Sequence, residues 1–292
     1  MPSNALKRSV SIKDIARTAK VSHSTVSRAL RHSPLVNPKT AALIRRIAAD
    51  SGYVASAVAR SLVTRATKTV GVVVTTISDP FIAEVVSGIE EVANQRGYSV
   101  ILANSHAEAE REMSAVRGFG ERRVDGILVT ASRVGPMYGP LLESMHVPIV
   151  LINNQYPGEF AHTVMIDNVP ASRGAVRHLI ELGHRRIAYI GDRLGFQSDA
   201  ERLKGYRQAL RDAGIKEIPD LVCHGDGKAE EAEHQAHTLL NLAQPPTAIF
   251  CYNDMTALGA MRTIREHGLR VPEDISVVGF DDLFIASYTA PR

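Results

Sequence analysis

Cysteine is scarce in this 292-residue sequence: only Cys223 and Cys251 occur, each in an apolar, strand-like run. So few thiols exclude a disulfide scaffold and fit buried residues in a reducing cytosol. Long apolar runs are absent too, and none reaches the roughly 18–20 residues of a membrane span. The opening Met1-Pro2-Ser3-Asn4-Ala5-Leu6-Lys7-Arg8 has no apolar core leading to a small-residue cleavage site, so no export signal is read there. A cytoplasmic, nucleoid-associated protein with no membrane partner is expected. No Gly-x-Gly-x-x-Gly follows a strand-like run, and no phosphate loop ending in Gly-Lys-Ser/Thr occurs. Dinucleotide and NTP phosphates therefore lack their usual cradle. His234-x-x-His237 sits near Glu230, Glu231 and Glu233 without a third defined ligand, and reads as an exposed polar helix face rather than a metal site. No catalytic residue, metal or cofactor is assigned, and the chain does not read as an enzyme.

What is present is ordinary globular composition, 45% hydrophobic and 22% charged, in a length suited to two or three domains. The net charge of +3 hides a partition. Residues 1–67 hold twelve Lys and Arg against Asp14 and Asp50, a charge of +10, which leaves −7 on the remaining 225 residues. A small basic head on a larger acidic body is what neutralising phosphates at one end requires, and it points to nucleic acid.

Within the head, Ser11-Ile12-Lys13-Asp14 has the Ser-x-x-acid pattern that caps a helix, and Ile12, Ile15, Ala16 and Ala19 then recur at helical spacing. After a break at Lys20-Val21, Ser22 can cap a second helix from His23 to Leu30, with Val26, Ala29 and Leu30 facing the first. Asn37-Pro38 opens a third, running through Ala41, Leu43, Ile44, Ile47 and Ala48 to Gly52. Two short helices joined by a tight turn and braced by a third make a helix-turn-helix, whose second helix lies in the major groove. His23 and Ser24 are then placed to read base edges, and Thr25, Ser27 and Arg28 to meet phosphates or bases.

The runs Ile-Lys-Asp-Ile-Ala, Val-Ser-x-Ser-Thr-Val-Ser-Arg-Ala-Leu, Gly-Tyr and Ala-Val-Ala-Arg-Ser-Leu resemble the lac repressor/galactose repressor family, with a match over essentially the whole chain. The resemblance implies a hinge helix over Ser56–Leu62, ordered when two subunits meet on DNA, with Leu62 as a minor-groove wedge. Apolar wedges unstack a base step and bend the duplex. It adds Arg31 and Ala59 to the DNA-contacting set. Two departures stand out. Lys20 occupies the turn where the family usually has Gly, so a positive φ there would carry strain. Ala55-Ser56 replaces the usual Pro-Asn at the start of the hinge.

Beyond a basic linker, apolar runs at Val70–Val74, Val100–Ala103, Gly126–Val129 and Ile149–Ile152 alternate with helical stretches at Phe81–Gln95, Ala107–Glu121 and Pro140–Met145. The pattern restarts with Ile187–Ile190, Leu221–Cys223, Ala248–Cys251 and Ser276–Val278. Buried strands alternating with helices specify parallel, doubly wound sheets. An internal echo, Gly88 to Gly97 and Gly205 to Gly214, ends two helices with a glycine suited to the position after the cap. The expected architecture is an all-α helix-turn-helix head (1–54), a hinge and linker (55–67), and an α/β body of two lobes (68–166 and 167–292). The body resembles the periplasmic binding proteins, and ligands of such sheets bind at strand C-terminal ends.

Residues just past those ends, with Arg202 on the helix that follows one of them, are the effector candidates: Phe81, Asn153, Phe196, Arg202, Asp254 and Asp281. Of these, Arg202, Asp254 and Asp281 match the family's effector-contacting positions most closely. Acceptors, a fork-shaped donor and an aromatic face suit a sugar or sugar derivative, with a purine as the rival. Asp167-Asn168 reads as the crossing between lobes rather than a ligand site. The resemblance implies a repressor that binds a pseudo-palindromic operator as a homodimer or tetramer. A solute-binding module without a DNA role is the alternative. Family members continue for a few dozen residues past the point matched by Arg292, so a C-terminal lobe short of its last elements is expected.

Overall fold

The computed structural model describes residues 10–53, 61, 66–132, 134, 138, 145, 147–154 and 162–292. The chain divides into two compact units, Met1–Thr67 and Lys68–Arg292.

The first unit holds α1 (Ile12–Ala19), α2 (His23–Leu30) and α3 (Pro38–Asp50). Each start is fixed by a side chain that satisfies a free backbone amide. Ser11 and Asp14 form a reciprocal capping box, Ser22 Oγ accepts from the Thr25 amide at 3.1 Å, and Asn37 Oδ1 accepts from the Lys39 amide at 2.9 Å. Lys20 ends α1 with φ 54°, so the turn keeps its left-handed geometry without glycine. Ile15, Val26 and Ile44 are at most 1% exposed and meet at the centre of the three helices. Burial of each such side chain contributes about 1.5–3 kcal/mol.

The second unit holds two parallel sheets. The first has the order β2-β1-β3-β4-β5, from β1 (Thr69–Val74), β2 (Ser99–Asn104), β3 (Gly126–Thr130), β4 (Ile149–Ile152) and β5 (Thr163–Val164). Val73, Ile127 and Val129 face α5 (Ala109–Glu121), while Val72 and Val74 face α4 (Pro80–Gln95). The second sheet has the order β7-β6-β8-β9, from β6 (Ile187–Asp192), β7 (Val222–Gly225), β8 (Ala248–Cys251) and β9 (Ser276–Val278). Its central strands are buried throughout because helices cover both faces. Ala188, Ile190, Ile249 and Cys251 pack under α8 (Ala229–Leu240) and α9 (Asp254–Glu266). Ile187, Tyr189, Ala248 and Phe250 pack under α6 (Asn168–Glu181) and α7 (Gln197–Asp212). After β9 the chain returns to the first lobe, where the Phe284 amide donates to Glu84 on α4 at 3.0 Å.

Several boundaries differ from the sequence-based expectation. Helix α5 begins at Ala109 because His106 and Ala107 take φ of 53° and 57°, which no helix admits. Leu221 is the one buried residue of a 3-10 turn, and strand β7 starts one residue later. The two-residue strand β5 is too short to leave a pattern. The helix expected over 140–145 lies largely outside the described residues. Gly97 and Gly214 do take positive φ, 71° and 67°, directly after the caps of α4 and α7. Cys251 is buried and Cys223 half-buried, both reduced, and burial pushes the Cys223 thiol up to about 12.

Candidate functional site: a recognition helix and an interlobe cavity

In the first unit, packing of Val26 and Ala29 turns the opposite side of α2 outward. His23, Ser24 and Arg28 are exposed, and Thr25 and Ser27 are half-buried. Ser22 Oγ lies 2.8 Å from both Ser24 Oγ and Thr25 Oγ1, so one cap residue orders the hydroxyls of the first turn. Arg31 sits at the C-cap, where its Nε donates to the Ser27 carbonyl at 3.2 Å. Ser24, Arg28 and Arg31, at i, i+4 and i+7, form one polar stripe along the helix. Ala59, Leu62 and all of the expected hinge helix except Ser61 lie outside the described residues.

In the second unit a cavity of about 530 Å³ opens between the lobes. That volume is within the usual range for small-molecule sites. Its lining comes from the C-terminal ends of strands in both sheets: Thr75 and Thr76 after β1, His106 after β2, Asn153 after β4, Asp192 at the end of β6, and Tyr252 and Asn253 after β8. Phe81 on α4 and Phe196 at the N-cap of α7 add aromatic faces.

Arg202, on α7, is the most constrained group in this wall. It is 4% exposed, and its guanidinium lies 3.7 Å from the Phe280 ring centroid and 4.7 Å from that of Tyr252. Stacking between two rings holds the plane of the fork. Its Nε donates to Asn168 Oδ1 at 3.0 Å, one Nη to the Tyr252 carbonyl, and the other to Asp281 Oδ1 at 3.1 Å. Tyr252 is held in turn by Ser198, whose Oγ lies 2.8 Å from the phenol oxygen. Burial raises the Asp281 carboxyl to about 7, with Asp254 and Asp79 adding to the rise and Arg202 opposing it. Asp79 at the start of α4 is likewise pushed above its ordinary range by burial, against the pull of the Phe81 and Ile82 amides. Asp281 and Asp282 both have positive φ, 104° and 55°. Adjacent strained residues of this kind persist only where surrounding contacts fix them, often at ligand sites.

Of the six residues proposed from the sequence, Phe81, Asn153, Phe196, Arg202 and Asp281 line this cavity. Asp254 does not. Its carboxylate accepts from the Leu283 amide at 2.7 Å, and it lines an adjoining, more open hollow with Gly279 and Asp282 that shares Phe81, Ile166 and Asp281 with the cavity. The neighbouring Asn253 takes the cavity position while also capping α9 through the Thr256 amide. Asn168, read from the sequence only as a crossing, is buried in the wall and braces Arg202. Tyr252, His106 and the segment from Asp226 to Glu230 were not anticipated. The ends of β2 and β7 obey the same strand-end rule as the others, and that was the signal for two of the three.

Two family models match the chain: bacterial regulatory proteins of the lacI family over residues 11–56, and the periplasmic binding proteins and sugar binding domain of the LacI family over 67–290. The chain is 35% identical over 292 residues to the HTH-type transcriptional repressor CytR of Escherichia coli strain K12, covering all of this chain and 85% of that protein. It is 34% identical over 281 residues to the HTH-type transcriptional repressor PurR of Vibrio atlanticus, covering 96% and 84%. Among solved structures it is similar to the lac repressor dimer bound to operator and the anti-inducer ONPF, with a TM-score of 0.87, 30% identity and 96% and 84% coverage. It is also similar to the transcriptional regulator CelR in complex with cellobiose, with a TM-score of 0.69, 32% identity and 97% and 86% coverage.

Proposed function

This chain belongs to the lacI family of bacterial regulatory proteins, and from that premise we propose that α2 reads an operator while the interlobe cavity takes a sugar-like effector. The reading is of a cytoplasmic repressor that acts as a homodimer. Two heads meet half-sites about one helical turn apart on a pseudo-palindrome. His23 and Ser24 read base edges, while Thr25, Ser27, Arg28 and Arg31 grip phosphates. Phe81 and Phe196 stack on the ligand, and Arg202, Asn153 and Asp281 bond its hydroxyls. No catalytic role is assigned to any of them, and a regulator rather than an enzyme is what the family predicts.

The observation that carries this reading is Arg202, stacked, buried and aimed into a cavity whose walls come from both lobes. A ligand there touches both lobes at once, so its binding energy depends on their closure. That dependence is what couples the cavity to DNA, and the coupling is reciprocal. CelR, to which the chain is similar, is solved in complex with cellobiose, which supports a sugar as the effector here.

Operator selection with the purified protein, repeated in the presence of individual sugars, tests the proposal. A defined pseudo-palindrome is expected, together with at least one sugar that changes operator affinity. Selection of no sequence would overturn the DNA reading. An effector that still acts when Arg202 is replaced would overturn the cavity assignment.

A further inference from the structure

We infer that the cavity is built for an uncharged, hydroxyl-bearing ring and rejects the same ring when it carries a phosphate or carboxylate. The inference rests on the reading of this cavity as the effector site. Among the described lining residues there are five carboxylates, Asp79, Asp192, Asp226, Glu230 and Asp281, against two fixed cations, Arg202 and Lys228. Both cations already have an acidic neighbour. Arg202 meets Asp281 at 3.1 Å, and Lys228 lies 3.6 Å from Asp226. Burial favours the protonated forms of Asp281 and Asp79, yet Asp192, Asp226 and Glu230 still outnumber the two cations, so an incoming anion meets surplus negative charge.

Helix N-termini are the usual alternative source of anion affinity. Four open onto this cavity, since Phe81 of α4, Ser198 of α7, Ala229 of α8 and Met255 of α9 all line it. Each is already offset by an acid of the chain itself. Asp79 caps α4 and accepts the Phe81 amide at 2.9 Å. Asp199 lies in the first turn of α7, Glu230 and Glu231 in that of α8, and Asp254 in that of α9. Asp79 and Glu230 line the cavity itself, while Asp199, Glu231 and Asp254 lie behind its wall; from either position an acid in the first turn weakens the dipole that would attract a phosphate.

A neutral ring with hydroxyls fits the same walls. Hydroxyls donate to the carboxylates and accept from the guanidinium, three of whose five N–H groups are bonded within the protein. Phe81 and Phe196 offer apolar faces to the ring.

Calorimetric titration of the full chain with matched pairs tests this: glucose and its phosphate ester, cellobiose and its phosphate ester, adenosine and its monophosphate. In any pair that binds, the neutral member is expected to bind roughly ten-fold or more tightly than the phosphate. A phosphate that binds as well as its neutral partner, and loses affinity in Arg202→Lys, overturns the charge inference and leaves the cavity reading standing. No binding by either member of any pair removes the cavity reading, and this inference with it. Inorganic phosphate gives a check that needs no sugar. At millimolar concentration it is expected to leave the melting temperature unchanged. Stabilisation by phosphate that Lys228→Gln abolishes would overturn the inference.

Discussion

Arg202 and Asp281 meet at 3.1 Å with side chains only 5% and 6% exposed, joining α7 to the loop after β9. The pair is costly to bury, and its attraction repays desolvation only when the remaining donors and acceptors are also satisfied. Asn168 and the Tyr252 carbonyl meet that condition on the arginine side. On the other side, Asp254 fixes the Leu283 amide and so holds the strained backbone at Asp281 and Asp282 in place. The pair is at once part of the second lobe's framework and part of the cavity wall.

Replacing Arg202 with Ala removes the charge that favours ionised Asp281, so the buried carboxyl loses its partner and holds its proton more tightly, and Asn168 and the Tyr252 carbonyl lose their donor. A loss of about 3–5 kcal/mol is expected, as for breaking other buried pairs. Urea denaturation of wild type and variant measures it, and a loss below about 1 kcal/mol would show that solvent reaches the pair. The double variant Arg202→Met, Asp281→Leu is expected to recover much of the stability without recovering any ligand response. That outcome separates the structural role of the pair from its role in binding.

The raised Asp281 carboxyl gives a pH dependence with a definite sign. Its folded value, about 7, lies above the ordinary 3.8, so the folded state holds this proton more tightly than the unfolded chain does. The contribution is fully present below about 3.8 and is lost as pH rises through about 7. Comparing melting temperatures of wild type and Asp281→Asn across that window isolates it. Wild type is expected to fall relative to the variant as pH rises, and parallel curves would refute the assignment.

Arg28 and His23 separate grip from reading on α2. Arg28→Ala is expected to weaken binding to all sequences and to reduce the salt dependence by about one phosphate contact. His23→Ala is expected to relax preference at one position per half-site, with a loss of about 1–3 kcal/mol against the cognate base. Operator selection with each variant decides it. Unchanged discrimination by the His23 variant would contradict the proposed reading.

Lys20 holds φ 54° at the end of α1, a conformation that costs an L-residue about 1 kcal/mol or slightly more. Lys20→Gly is therefore expected to stabilise the head by up to about 1 kcal/mol, less the entropy that glycine adds to the unfolded chain. Thermal unfolding followed by far-ultraviolet circular dichroism would show the change. A destabilised variant would mean that the lysine side chain makes a compensating contribution.

The local chemistry of this protein is written in its sequence. Ser11, Ser22 and Asn37 announce the three helices of the head because each supplies an acceptor where a helix leaves amides free. The apolar runs from Val70 to Val278 announce two parallel sheets because central strands covered on both faces have no polar side to show, although the edge strand β2 is apolar while Ile101 and Leu102 stay exposed. The charge partition distinguishes a basic head from an acidic body by composition alone. The strand-end rule, together with the family resemblance for Arg202 on the following helix, named five residues that line one cavity.

Tertiary structure decided what lies beyond reach of local pattern. Asn253 and Asp254 are adjacent, and either is chemically suited to a ligand. Successive helix positions point about 100° apart, so only the packing of α9 settles which one faces the cavity. The stacking of Arg202 between Tyr252 and Phe280 joins segments 50 and 78 positions away, and no spacing in the chain foretells it. Asn168 became a brace for Arg202 because α6 and α7 pack side by side on one face of the second sheet. Caps, strands and charge are local properties and survive in the one-dimensional chain. The orientation of a buried side chain depends on its neighbours from distant segments, and only the folded body sets it.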